Sequence, residues 1–147
     1  MNNTLVTKVK RFIAFLVIAS LMAGVSYLIV FKASILPNGY DLVNVQHNTI
    51  SLQSFNVIGI EKEITIVSFS GKDIWKIDAI KHEVNRHKEF LWLLFFATTV
   101  SIFLLVYKIR KGKKVWKAIV DSNLIFAVLL PLFPLINSAN RITELLS

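Results

Sequence analysis

Two long uncharged apolar runs constrain this chain more than any other feature. Residues 12–31 form a run of twenty and residues 90–107 a run of eighteen. About 18 to 25 such residues in a helix can cross the roughly 30 Å hydrocarbon core of a bilayer. Only a helix or a closed barrel satisfies its backbone there, and neither run alternates as a barrel strand does. The expected fold class is an α-helical integral membrane protein with two spans, an expected third, and a small β-rich extracytoplasmic domain.

Charge gives the orientation. The formal net charge is +8. Lys8, Lys10 and Arg11 precede the first run, and Lys108, Arg110, Lys111, Lys113, Lys114 and Lys117 follow the second, with no acidic residue among them. Residues 32–89 balance seven cations against seven anions. A basic excess confined to short segments beside apolar runs is the positive-inside pattern. It places residues 1–11 and 108–117 in the cytoplasm of a bacterial plasma membrane and residues 32–89 outside. The same cations suit anionic lipid headgroups, and nucleic acid is not an expected partner. Thirteen lysines against four arginines, with abundant Ile, Asn and Phe, hint at an AT-rich bacterial genome. The first run is longer than a signal-peptide core of about 7 to 15 residues, and no A-x-A-like site follows it, so it reads as an uncleaved signal anchor. Without cysteine, disulfides and thiol chemistry are excluded.

Between the runs, Pro37-Asn38-Gly39 signals a turn. Short stretches at 42–45, 49–53, 55–60, 63–69 and 74–77 carry strand character, with His47-Asn48 as a tight turn and residues 70–73 as a hairpin loop. Ile64 and Ile66 alternate with polar neighbours, which suits a sheet with one solvated face. Trp75 reads as sheet core. Asp78 is a candidate N-cap for a helix from Ala79 to Arg110, about 48 Å long. Such a helix would project from the outer face, and Ile80, Val84 and Leu91 would seat the sheet.

The third apolar segment, 118–136, contains Asp121 and reaches Pro131 and Pro134, which would kink it. A third span, leaving the tail 137–147 outside, is favoured over a re-entrant or interfacial segment. Trp92 and Trp116 sit where interfacial anchors belong.

Candidate chemistry is sparse. His82 and His87 lie five apart, about 140° round a helix, whereas a zinc-protease motif needs a spacing of four. Residues 82–87 therefore read as a charged, solvated turn, and no metal, cofactor or catalytic residue is expected. Asp121 is the one acidic residue in an apolar segment. It is a candidate intramembrane polar group, or else an interfacial residue paired with Lys117 or Lys114. Ala19 and Ala23, Ser20 and Gly24, and Ala97 and Ser101 are pairs of small residues four apart, the spacing that lets helices approach in lipid. They are candidate packing positions, for the protein's own helices or for a partner. The leading expectation is a non-enzymatic accessory or regulatory subunit of a bacterial membrane complex, bound to another membrane protein or to a second copy of itself. The alternatives are an immunity-type or stress protein, and a small channel or transporter component using Asp121.

Overall fold

The computed structural model describes residues 2–147; Met1, the first residue of the expected tail, lies outside them. The elements run α1 (Asn2–Tyr27), a wider π-turn (Leu28–Lys32), β1 (Tyr40–Gln46), β2 (Thr49–Phe55), β3 (Glu61–Ser68), a single 3-10 turn (Gly71–Asp73), α2 (Trp75–Arg110), α3 (Val115–Asp121) and α4 (Leu124–Leu146). The molecule is mostly helical. Three helical stretches, Asn3–Lys32, Gly71–Arg110 and Leu124–Leu146, are long and apolar enough to cross a membrane.

The three strands form an antiparallel meander in the order β1-β2-β3. Pro37 and Asn38 turn the chain into it. The Gly39 amide donates to the Leu36 carbonyl, and Asn38 takes a positive φ of 53°, which suits a turn with Pro at its second and Asn at its third position. His47-Asn48 joins β1 to β2, with Gln46 opposite Thr49. Ile50 and Leu52 of β2 point inward, and Leu42, Val45 and Val67 pack with them. Ile64 and Ile66 are exposed instead. Their register sets them opposite Gln53 and Ser51, the outward residues of β2, and in a sheet register decides the face.

Two expected strands are absent. The stretch 55–60 is the end of β2 plus a turn, and 74–77 begins α2. The reason is periodicity. Ile77, Ile80, Val84, His87 and Leu91 are all buried, and spacings of three and four continue one helical stripe straight through the supposed strand. Residues 70–73 consequently lead into a helix and do not form a hairpin loop. Trp75 is 60% exposed in the first turn of α2, not in the sheet core. Asp78 lies within that turn and pairs with Lys81 at 3.4 Å.

At 36 residues α2 is about 54 Å long, so its first half extends well beyond the run 90–107 and carries the sheet. One cluster joins Ile50, Leu52 and Phe69 to Ile77, Ile80 and Val84 of α2 and Ile142 of α4. A second joins Val30, Leu36 and Phe55 to Leu91 and Leu135. The sheet is also pinned by Lys88, whose ammonium donates to Asp41, which in turn accepts from Ser34 at 2.8 Å.

α2 ends at a Schellman turn. Gly112, with φ of +84°, donates to the Ile109 carbonyl, and Lys113 donates to the Lys108 carbonyl. The third apolar segment is two helices, broken at Ser122-Asn123 with Asn123 left-handed at φ 55°. α4 runs unbroken through Pro131 and Pro134 and on to Leu146, so most of the expected tail is helix. Its buried residues Pro131, Leu135, Ser138 and Ile142 form one stripe, and the stripe packs along α2.

Candidate functional site

The most elaborate polar arrangement lies where α2 and α4 pack beside the sheet. Glu83 is only 4% exposed. The Ser138 hydroxyl lies within hydrogen-bonding distance of both the Glu83 carbonyl, at 3.0 Å, and its carboxylate, at 3.2 Å. Arg141 Nε and Arg86 Nη1 stand 3.5 and 3.7 Å from the same carboxylate oxygen. Arg86 also lies over the Phe90 ring. A cleft of about 750 Å³ opens here, lined by Glu83, Arg86, Asn137, Asn140, Arg141 and Glu144, with Phe133 and Pro134 at one end. Two cations and two carboxylates make it a mixed-charge recess.

One turn along, His87 is 1% exposed, and neither ring nitrogen has a hydrogen-bond partner. Its ring lies against Gly39 so closely that a Cβ there would sit 2.8 Å from Nε2. His87 precedes the uncharged run 90–107. Burial lowers its pKa below the ordinary histidine value, with the nearby Leu135 carbonyl working against that shift. The turn 82–87 is therefore half solvated and half core: Glu83, Val84 and His87 are buried, while His82, Asn85 and Arg86 are exposed. No group of three His, Cys, Asp or Glu able to hold a metal occurs among the described residues.

The small residues fall into two sets. Ala19 and Ala23 are half-buried, and the Ala23 carbonyl accepts a hydrogen bond from Trp92 Nε1 at 3.1 Å. That bond, with buried Ser26 and Val30 beyond it, fastens the C-terminal part of α1 to the body. Ser20 and Gly24 face outward: Ser20 bonds only back to Leu16, and a Cβ on Gly24 would meet nothing within 4 Å. Ser101 is buried and Ala97, four residues before it, is half-buried. Where the N-terminal half of α1 passes the C-terminal part of α2, the two form the walls of an apolar groove of about 380 Å³, lined by Phe12, Phe15, Ile18, Phe103 and Leu104 among others.

Asp121 is the last residue of α3, three positions before α4. Its carboxylate takes Lys113 at 2.6 Å and its carbonyl takes Lys108. The Lys113 ammonium holds its carboxyl below the usual range. The pairing residue is thus neither Lys117 nor Lys114. Trp116 is exposed beside this basic turn. Sequence reasoning missed Ser138, Arg141 and the burial of Glu83. The available signal was the apolar spacing 135, 142, 145 and 146, which carries a helix face across the polar residues 137–141. No family model, curated protein or solved structure matches the chain.

Proposed function

We propose that this chain is an integral protein of a bacterial plasma membrane and a non-enzymatic accessory or regulatory subunit of a larger membrane complex. In this reading α1 and the run 90–107 of α2 cross the bilayer, and α4, packed along α2, is the third apolar helix. The N-terminus and the basic turn 108–117 lie in the cytoplasm against anionic headgroups, and the sheet lies outside.

The observation that carries the reading is the open face of α1. This helix meets the body mainly towards its outer end, and Leu5, Val9, Phe12, Ile13, Leu16, Val17 and Leu21 are exposed below that point. Ser20 and Gly24 add a flat, small-residue face with empty space over it. Surface area agrees. The chain exposes 10101 Å² at 16.7 kDa, about 2,500 Å² more than the roughly 7,600 Å² of a compact soluble monomer of that mass. Lipid can cover most of this apolar surface, and a small-residue face is where another helix can come close. A channel role is less well supported, because Asp121 is tied to Lys113 outside the long helices.

The test is a tagged purification from native membranes in mild detergent, run for wild type and for Gly24→Leu. The leucine has room in the isolated chain, so its fold should hold. The expected outcome is a stoichiometric membrane partner with wild type and its loss with Gly24→Leu. Recovery of this chain alone in both cases would sink the subunit reading. Self-association lost with Gly24→Leu would replace the partner with a second copy.

A further inference from the structure

The β2–β3 turn, residues 56–60, is apolar at its tip, where turns are usually polar. Val57, Ile58 and Ile60 are 78%, 75% and 60% exposed. The turn is firmly built. The Asn56 side-chain oxygen accepts from the amides of Ile58 and Ile60, both at 2.9 Å. The Asn56 amide donates to the Ile60 carbonyl, and the Gly59 amide donates to the Asn56 carbonyl, which also accepts from Asn38. Four of the five amides in the turn are thus spent inside the protein, and what faces outward is three aliphatic side chains. No Asp, Glu, Lys or Arg occurs between Asp41 and Glu61.

Its position is also informative. Val57 lines a pocket of about 250 Å³ with Leu91, Leu94 and Phe95 of α2 and Leu132, Leu135 and Ile136 of α4. Phe95 lies five residues into the uncharged run that begins at Phe90, about 7.5 Å along the helix. A Cβ on Gly59 would sit 3.0 Å from Ile35, just past the end of the first apolar helix. The tip therefore stands beside the start of the run 90–107 and the middle of α4, just past the end of the first apolar helix. At the other end of the sheet, His47 lies beside Ile74, Asp78 and Lys81 at the start of α2.

We infer that residues Val57, Ile58 and Ile60 insert into the acyl chains of the outer leaflet and fix the sheet against the bilayer. This rests on the membrane reading above. The occupant is lipid because the exposed side chains continue the apolar band of the helices, and because a turn with four of its five amides bonded inside the protein can hold its backbone at the headgroup boundary while its side chains reach the acyl chains. Depths of about 5 to 10 Å are usual for apolar groups seated at the headgroup boundary, and the reach of Val57 to Phe95 falls within them. The charged residues Glu61 and Lys62 follow directly and would lie among the headgroups.

Because the chain has no cysteine, single cysteines can be labelled cleanly. Full-length Ile58→Cys, Val57→Cys, Asn48→Cys and Leu16→Cys would each carry an environment-sensitive fluorophore in phosphatidylcholine–phosphatidylglycerol vesicles. Quenching by doxyl-labelled phosphatidylcholine would be compared with quenching by iodide. The expected result is lipid quenching at least twofold greater at positions 57 and 58 than at 48, with iodide showing the reverse order. Lipid quenching at 16 with only iodide quenching at 57 and 58 would overturn the insertion while leaving the membrane reading intact. Protection at 57 and 58 from both quenchers would overturn lipid as the occupant. Absence of lipid quenching at 16 would remove the membrane reading and the insertion with it.

Discussion

Glu83 allows the energetic reasoning to be tested by order of effects. A buried carboxylate is costly unless compensated, and removing its partners can destabilise by about 3–5 kcal/mol. Here the compensation is unequal in exposure. Glu83 is buried, while the Arg86 and Arg141 side chains are 47% and 67% exposed. At 3.5 and 3.7 Å each pair is worth between about 1 kcal/mol in water and about 4.5 kcal/mol at an effective dielectric of 20. The exposure of the arginines pulls both values towards the lower figure.

Arg86→Met or Arg141→Met alone should therefore cost about 1 kcal/mol, because the remaining arginine and Ser138 still serve the carboxylate. The double variant strands a buried charge and should cost about 3 kcal/mol, the low end of the range for a broken buried pair. Glu83→Gln alone should cost about 1 kcal/mol, since its amide oxygen can still accept from Ser138 and the arginines turn to water. The informative variant is the triple. Adding Glu83→Gln to the double-arginine background removes the stranded charge and should recover about 2 kcal/mol, the difference between those two costs. Denaturant unfolding in mild micelles, followed by tryptophan fluorescence, measures all five variants. If Glu83→Gln makes the double-arginine protein less stable, the carboxylate is not held by those arginines and the argument is wrong.

Gly39→Ala would drive a methyl to 2.8 Å from His87 Nε2 and 3.3 Å from Leu36 Cβ; overpacking of this kind should lower stability by about 1–3 kcal/mol, and an unchanged denaturation midpoint would mean that the His87 ring moves freely. His87 has a folded-state pKa below its unfolded value of 6.5, so its contribution is fully present above that value and is lost as pH falls below it, by at most about 1.4 kcal/mol per pH unit. Unfolding curves for wild type and His87→Leu between pH 7.5 and 5.5 should diverge in slope, with the steeper acid loss in wild type; parallel curves would show that the ring already gains its proton in the folded state. Topology is checked with Asn48→Cys and Lys114→Cys: a membrane-impermeant maleimide should label the first on intact wall-stripped cells and the second only after permeabilisation.

How much of this was legible beforehand depended on whether a signal was local. The runs 12–31 and 90–107 needed no context, because an uncharged stretch of that length states its own conformation. The turns at Pro37-Asn38-Gly39 and His47-Asn48 were equally local. Trp75 and Ile74 misled because a short, mostly apolar stretch looks the same in a strand and in the first turn of a helix, and only the stripe through Leu91 separates the two. Ile64 and Ile66 left a different question open. Alternation shows that two faces differ but not which face is buried; pairing with β2 decides that, and the inward places went to Ile50 and Leu52, with Val67 packed against them. The polar seam was the least legible. Glu83, Ser138 and Arg141 are brought together by a helix that continues ten residues past Ile136, through Asn137, Asn140 and Arg141, which by composition read as a solvated tail. A carboxylate is hidden there because α4 returns along α2 and delivers Ile142 to the sheet, so Glu83 is buried by the folding of apolar neighbours around it. That explains why its compensation is partial and long-range, and why stability at this seam should depend on the balance of charge more than on any single contact.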